Sequence, residues 1–186
     1  TGSAWNPQLT SGGSSGGAAS GLGTHMLPVA DGSDMMGSLR NPGAFNNVIG
    51  FRPSVSVMSN NPTGPRALST NGPMGRNTAD TIRLLQTIAG QPVASDYSPM
   101  SLTNVKLGWM GNLDGYLAME PGVLELCESS LAAVSSGGAN IEETQPNFTL
   151  SDLWFCWTTL RHSGRASMKS FYDNPETRSQ LKPEVV

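Results

Sequence analysis

The 186-residue sequence predicts an α/β fold, and two observations carry that prediction. An apolar stripe of helical period runs from Ala79 to Ala89, and a strand–helix–strand succession fills the stretch after residue 104. Charged residues make up 13% of the chain against roughly 25% in an average domain, so much of the chain is expected to be buried. Lys+Arg 11 against Asp+Glu 14 leaves a net charge of only −3, so disorder driven by high charge is excluded. The length fits one domain, or one piece of a larger one.

Other classes fall on the same grounds. No run of about 18 apolar residues exists, so no helix is expected to span a membrane. Thr1-Gly2-Ser3-Ala4-Trp5-Asn6-Pro7 has neither a basic nor an apolar stretch, which excludes a signal peptide there. Cys127 and Cys156 lack metal-ligand spacing and are expected to be free, buried thiols in a reducing compartment. The net charge and the lack of any Lys/Arg run argue against nucleic acid.

The elements follow in order. Residues 1–24 are rich in Gly, Ser and Ala, and 25–54 alternate short apolar pieces with Gly and Asp, ending in a short buried strand at Val48-Ile49-Gly50-Phe51. Residues 55–76 hold Asn60-Asn61-Pro62, Thr63-Gly64-Pro65 and Asn71-Gly72-Pro73, turn formers that predict a surface excursion. A helix then starts at an Asn77 or Thr78 cap, buries Ala79, Ile82, Leu85, Ile88 and Ala89, and stops at Gly90. Val105–Trp109 is a strand, and Glu120-Pro121 opens a helix through Val134 closed by Gly137-Gly138. Asn140–Thr144 is a second strand, followed by a long helix from Leu150 to about Met168. Trp109, Trp154, Phe155 and Trp157 read as core at this spacing. There is no internal repeat, which excludes a solenoid.

Chemistry concentrates in Gly12-Gly13-Ser14-Ser15-Gly16-Gly17 and in Asp31 to Arg40. Paired glycines around two serines let main-chain N–H groups and hydroxyls approach a ligand closely. A phosphate loop would need Gly-Lys-Ser/Thr, and no lysine follows. A flexible linker would explain the first stretch but not the Asp-containing segment after it.

In order and spacing these residues resemble the amidase signature family. The motifs are Gly12 to Gly17, then Gly32-Ser33-Asp34-Met35-Met36-Gly37-Ser38-Leu39-Arg40-Asn41-Pro42, then Gly50-Phe51-Arg52-Pro53, and Gly72-Pro73-Met74-Gly75-Arg76 leading to Asp80. The match covers residues 5–90; the run from Leu27 to Pro42 is most similar to the acylamidase branch, and residues 100–186 resemble the family only in element order. The resemblance implies a mixed, twisted β-sheet covered by helices, with 1–186 a single partial domain. Within it, 1–54 forms the nucleophile and bridging-serine core, 55–76 a surface loop, and 77–186 the helix and strand portion.

The same resemblance implies the site. Ser38 is the nucleophile, and Ser14, held through a cis peptide, is the bridging serine that relays its proton to a lysine. The N–H groups of Met35, Met36, Gly37 and Ser38 form the oxyanion hole. The chemistry suits these residue types, since a serine hydroxyl needs a neighbouring base and a Ser–Lys pair needs a neutral amine. Asp34 and Arg40 are expected to pair and fix the turn, and Ser15 and Ser33 to hydrogen-bond Ser14 and Ser38. His25 and His162 are structural or surface residues, because no Gly-x-Ser-x-Gly elbow accompanies them.

Two departures stand out. Met36-Gly37 replaces the family's Gly-Gly, so Met36 either carries a strained φ or lines the acyl pocket. The family's lysine lies well before the double-serine loop, whereas Lys106, Lys169 and Lys182 all follow it. The chain is therefore expected to be an interior piece that lacks the general base and is inactive alone.

The expected reaction is hydrolysis of a non-peptide carboxylic amide through a Ser38 acyl-enzyme, with no cofactor and no metal. The alternatives are the amidase component of a glutamine-dependent tRNA amidotransferase and an inactive fragment or scaffold. Expected partners are a small-molecule amide, the remainder of the same polypeptide and a second copy in a homodimer, but neither nucleic acid nor membrane. The expected location is cytoplasmic.

Overall fold

The computed structural model describes residues 1–58, 68–90, 100–163 and 165–181. Its contacts divide the chain into two compact units, Thr1–Ser95 with Leu160–Val186, and Asp96–Thr159.

The first unit is built on a three-stranded antiparallel sheet of β1 (Val29–Asp34), β2 (Ile49–Gly50) and β3 (Thr70–Gly75), in the order β1-β3-β2. The β1–β3 register runs from Val29 opposite Gly75 to Asp34 opposite Thr70, and β2 pairs Ile49 with Gly75 on the other side. Helix α1 (Gly16–Gly23) and helix α2 (Arg40–Asn46) frame the sheet, and α3 (Thr78–Ile88) follows β3. Ala19, Leu22, Leu39 and Met74 are fully buried together, with Ala18, Ala30 and Val48 packed against them. A second cluster joins Met58, Leu85 and Ala89. Each large side chain so buried contributes about 1.5–3 kcal/mol.

Two sequence expectations change here. Asn71-Gly72-Pro73 is not a surface turn: it lies inside β3, the middle strand, where Gly72 and Pro73 are buried. Proline lacks a donor but keeps its carbonyl, and Pro73 O accepts the Phe51 N–H at 3.0 Å. The other turn formers of this stretch, residues 60–65, lie outside the described residues. The expected strand at Val48–Phe51 shrinks to Ile49-Gly50, and it is half-buried.

Helix α1 forms despite its four glycines, each of which disfavours a helix by about 1 kcal/mol relative to alanine. Its small residues allow close packing instead, with Gly16, Ala19, Ser20 and Leu22 buried. Helix α3 starts as expected: the Asn77 side chain accepts the Asp80 N–H at 2.9 Å, and Gly90 follows with φ +68°.

In the second unit β4 (Lys106–Trp109) and β5 (Asn140–Glu143) pair in parallel, with Lys106 opposite Asn140 and Trp109 opposite Glu143. Parallel neighbours need a long crossover, and α4 (Val123–Ser136) supplies it before capping at Gly137. Helix α5 (Leu150–Ser163) stops short of Met168, which falls in a separate 3-10 turn at Ala166–Met168. The short α6 (Lys169–Asp173) and α7 (Pro175–Arg178) belong to the first unit and follow last in the described chain.

Neither α4 nor α5 buries a residue, so helical spacing did not mean core. Trp154 is 64% and Phe155 70% exposed. The thiols are not buried either: both cysteines are free, Cys127 half-buried and Cys156 exposed. Among the described residues no helix is long and apolar enough to cross a membrane.

Candidate active site

The site is built at the junction of β1 and α2. β1 ends in Asp34, which is fully buried, and five residues of turn separate it from Arg40, the first residue of α2. The Asp34 carboxylate organises that turn. Oδ1 accepts the Gly37 N–H at 2.8 Å, Arg52 Nη1 at 3.0 Å and Arg40 Nη2 at 3.1 Å. Oδ2 accepts Arg40 Nε at 2.9 Å and the Leu39 N–H at 3.3 Å. Two peptide and three guanidinium N–H groups fill the acceptor capacity of a carboxylate, which has about four lone-pair sites and must be ionised to offer them all.

The electrostatics follow. Burial is the largest single influence on Asp34 and would raise its pKa. The bonds from Arg40, Gly37, Arg52 and Leu39 together outweigh it and hold the carboxyl well below the usual carboxylate range. The same pairing raises the Arg40 guanidinium further above its ordinary value.

Ser38 sits between the two anchored N–H groups and is half-buried. Gly37 has φ +95°, a conformation that disfavours any side chain. The positive φ therefore falls on Gly37 and not on Met36, which carries no such strain. The N–H groups of Met35, Met36 and Ser38 meet no acceptor among the described residues, whereas that of Gly37 is committed to Asp34.

The double-serine loop lies against this turn. Gly12 has φ +75°, the Gly13–Ser14 peptide is cis, and Ser15 donates its N–H to Ser38 O at 3.2 Å before α1 begins. Ser14 is exposed and Ser15 half-buried. Gly32 on β1 is required by this contact, because a Cβ there would lie 2.3 Å from Ser15 Oγ and 2.9 Å from Leu39 Cδ2. Asn46, fully buried at the end of α2, anchors the loop from behind. Its amide donates to Ser11 O at 3.0 Å and Pro42 O at 2.9 Å, and its Oδ1 accepts the Ala4 N–H at 2.9 Å.

A family model described as Amidase matches residues 1–182. The chain belongs to the amidase signature family. Its similarity to curated proteins includes 34% identity over 161 residues to a Glutamyl-tRNA(Gln) amidotransferase subunit of Corynebacterium jeikeium, covering 76% of the chain and 32% of the relative. The same-named subunit of Symbiobacterium thermophilum is 33% identical, covering 75% and 31%. The chain thus spans about a third of the length of these relatives. Among solved structures, a bacterial aryl acylamidase of the amidase signature family superposes with TM-score 0.80 at 23% identity, covering 99% of the chain and 42% of that protein. A 6-aminohexanoate cyclic dimer hydrolase complexed with substrate gives TM-score 0.66 at 26% identity, covering 78% and 34%. The sequence relatives and the structural neighbours bear different activities, so they do not separate acylamidase from amidotransferase component.

Within this amidase signature fold, Asp34, Met35, Met36, Gly37, Ser38 and Arg40 share one turn, and Ser14 and Ser15 lie in the loop bonded to it. The Gly37 N–H differs from its expected role as an oxyanion donor, because it is turned into Asp34. Ser15 reaches Ser38 through its main chain, and neither Ser15 nor Ser33 hydrogen-bonds Ser14 or Ser38 through its hydroxyl among the described residues. Met36 is 52% exposed, and Arg161 Nη1 lies 2.7 Å from its Sδ. His25 and His162 are exposed; Lys106 is in β4, Lys169 pairs with Asp173 at 2.6 Å, and Lys182 lies outside the described residues. Arg52 and Asn46 were not singled out from the sequence. Arg52 stood in the Gly50-Phe51-Arg52-Pro53 motif as an unassigned position, and Asn46 had no signal at all.

Proposed function

We propose that this chain carries the nucleophile of an amidase that hydrolyses the C–N bond of a carboxylic amide through an acyl-enzyme on Ser38. The observation that carries the reading is the Asp34-clamped turn. It fixes the N–H groups of the residues before and after Ser38 and leaves neighbouring N–H groups without a protein acceptor among the described residues.

In this reading Ser38 Oγ attacks the amide carbonyl carbon and forms a C–O bond. Its proton passes to Ser14 Oγ, and the Ser14 proton passes to a neutral lysine supplied by upstream sequence. The developing oxyanion takes the N–H groups of Met35, Met36 and Ser38, and losing one such donor costs about 3–4 kcal/mol. The C–N bond then breaks as the proton returns to the departing amine. The same relay then takes a proton from water as its oxygen bonds the acyl carbon; the C–O bond to Ser38 breaks, Ser38 Oγ regains the proton, and the acid leaves. Acylation rises with pH as the lysine loses its proton.

The substrate class is a small acyl or aryl amide, in line with the aryl acylamidase whose fold the chain shares. A second reading, an amidotransferase component using glutamine, is favoured by the curated relatives at 33–34% identity. The full-length protein separates them: an aryl acylamide hydrolysed without partner subunits supports the first, and glutamine hydrolysed only in their presence supports the second. Ser38→Ala is expected to abolish either activity and labelling by a fluorophosphonate, and Ser14→Ala to slow both by about a hundredfold or more. Undiminished labelling of Ser38→Ala refutes the nucleophile.

A further inference from the structure

Arg52 lies two residues beyond β2, outside the turn, yet its guanidinium meets the turn at its base. Nη1 donates to Asp34 Oδ1 at 3.0 Å and also to the main-chain Asp34 O, while Nη2 donates to Leu68 O at 3.0 Å. One planar group thus joins the last residue of β1, its side chain and the approach to β3. Arg40 also binds Asp34, but its side chain is 56% exposed against 27% for Arg52. Solvent screens the first pair more than the second. Arg40 is also part of the segment that must be held, whereas Arg52 stands on a different stretch of the chain, 18 residues from Asp34.

That difference decides which cation fixes the turn to the sheet. Arg40 ties the Asp34 carboxylate only to the turn's own far end. Arg52 ties Asp34 to the chain just after β2 and just before β3, so the carboxylate cannot shift without breaking bonds outside the turn. Through Asp34 it holds the Gly37 and Leu39 N–H groups that bracket Ser38. A lysine cannot reproduce this, because a single ammonium lacks the planar fork that spans Asp34 and Leu68 O together.

Resting on the reading of Ser38 as nucleophile, we propose that Arg52 is a positioning residue for the nucleophile turn, acting through Asp34. The test uses the full-length protein and a fluorophosphonate. Arg52→Met lowers the maximal labelling rate about a hundredfold, the scale of a small misplacement of a reacting group, and leaves the half-saturating probe concentration unchanged. Hydrogen exchange of the peptide spanning residues 35–40 speeds up in the same variant. Arg52→Lys keeps the charge and folds more readily, and it gives an intermediate loss. In an Asp34→Asn background Arg52→Met adds little further loss, because the two act in series.

A wild-type labelling rate and wild-type exchange in Arg52→Met overturn the proposal, as does a full additional loss in the Asp34→Asn background. If wild-type protein is not labelled at all, the nucleophile reading fails, and the exchange measurement alone decides whether Arg52 holds the turn.

Discussion

The two units hold their shapes in different ways. Around the turn that carries Ser38, conformation is set by directed polar bonds: Asp34 and Asn46 are both fully buried, Asp34 binding the N–H groups of its own turn and the distant Arg52, Asn46 binding main-chain groups from separate stretches of chain. In β4–α4–β5 the elements are regular and the pairing is parallel, yet α4 buries no residue and Leu126 on it is 69% exposed. Regular periodicity therefore marks the element type without marking what is packed. The irregular, glycine-rich region is where individual atoms matter most.

The contrast predicts unequal responses to substitution. Asp34→Ala leaves the Gly37 and Leu39 N–H groups and a part-buried guanidinium without their shared acceptor, and about 3–5 kcal/mol of stability is lost on urea unfolding of the full-length protein. A loss below about 1 kcal/mol would break the comparison.

A smaller effect comes from pH. The folded pKa of Asp34 is depressed below its ordinary value of 3.8, so its contribution is present above that value and is lost as pH falls through and below it. The urea midpoint should fall on acidification from about pH 5, and Asp34→Asn should flatten that part of the curve. Identical slopes would mean that the carboxylate is not held as described.

The smallest effect belongs to the second unit. Leu126→Ala changes the unfolding free energy by about 0.5 kcal/mol or less, as at an ordinary exposed position. A cost on the scale of a core leucine, about 2–5 kcal/mol, would show α4 covered in the full-length protein and sharpen the contrast into one between local and distant packing.

The sequence was legible in proportion to how local each determinant is. Helix α3, with its Asn77 cap, and the order β4–α4–β5 follow from spacing within a dozen residues. β3 was hidden because Asn71-Gly72-Pro73 has turn composition, and only its neighbours on both sides make it a strand. α1 was hidden because its glycines speak against a helix until close packing is known. At the site, the pairing of Asp34 with Arg40 follows from the family resemblance and the apolar residues around them. Arg52 and Asn46 could not, since they reach main-chain carbonyls 16 and 35 residues away, which leave no trace in side-chain identity.

The placement of β3 between β1 and β2 has one more consequence. The ribbon entering the Ser38 bend and the ribbon that follows the helix after it are fastened to the same backbone, so peeling that middle ribbon away would release both at once. Loss of the geometry around Ser38 should be an all-or-none event, with no half-fastened form in which one side survives the other.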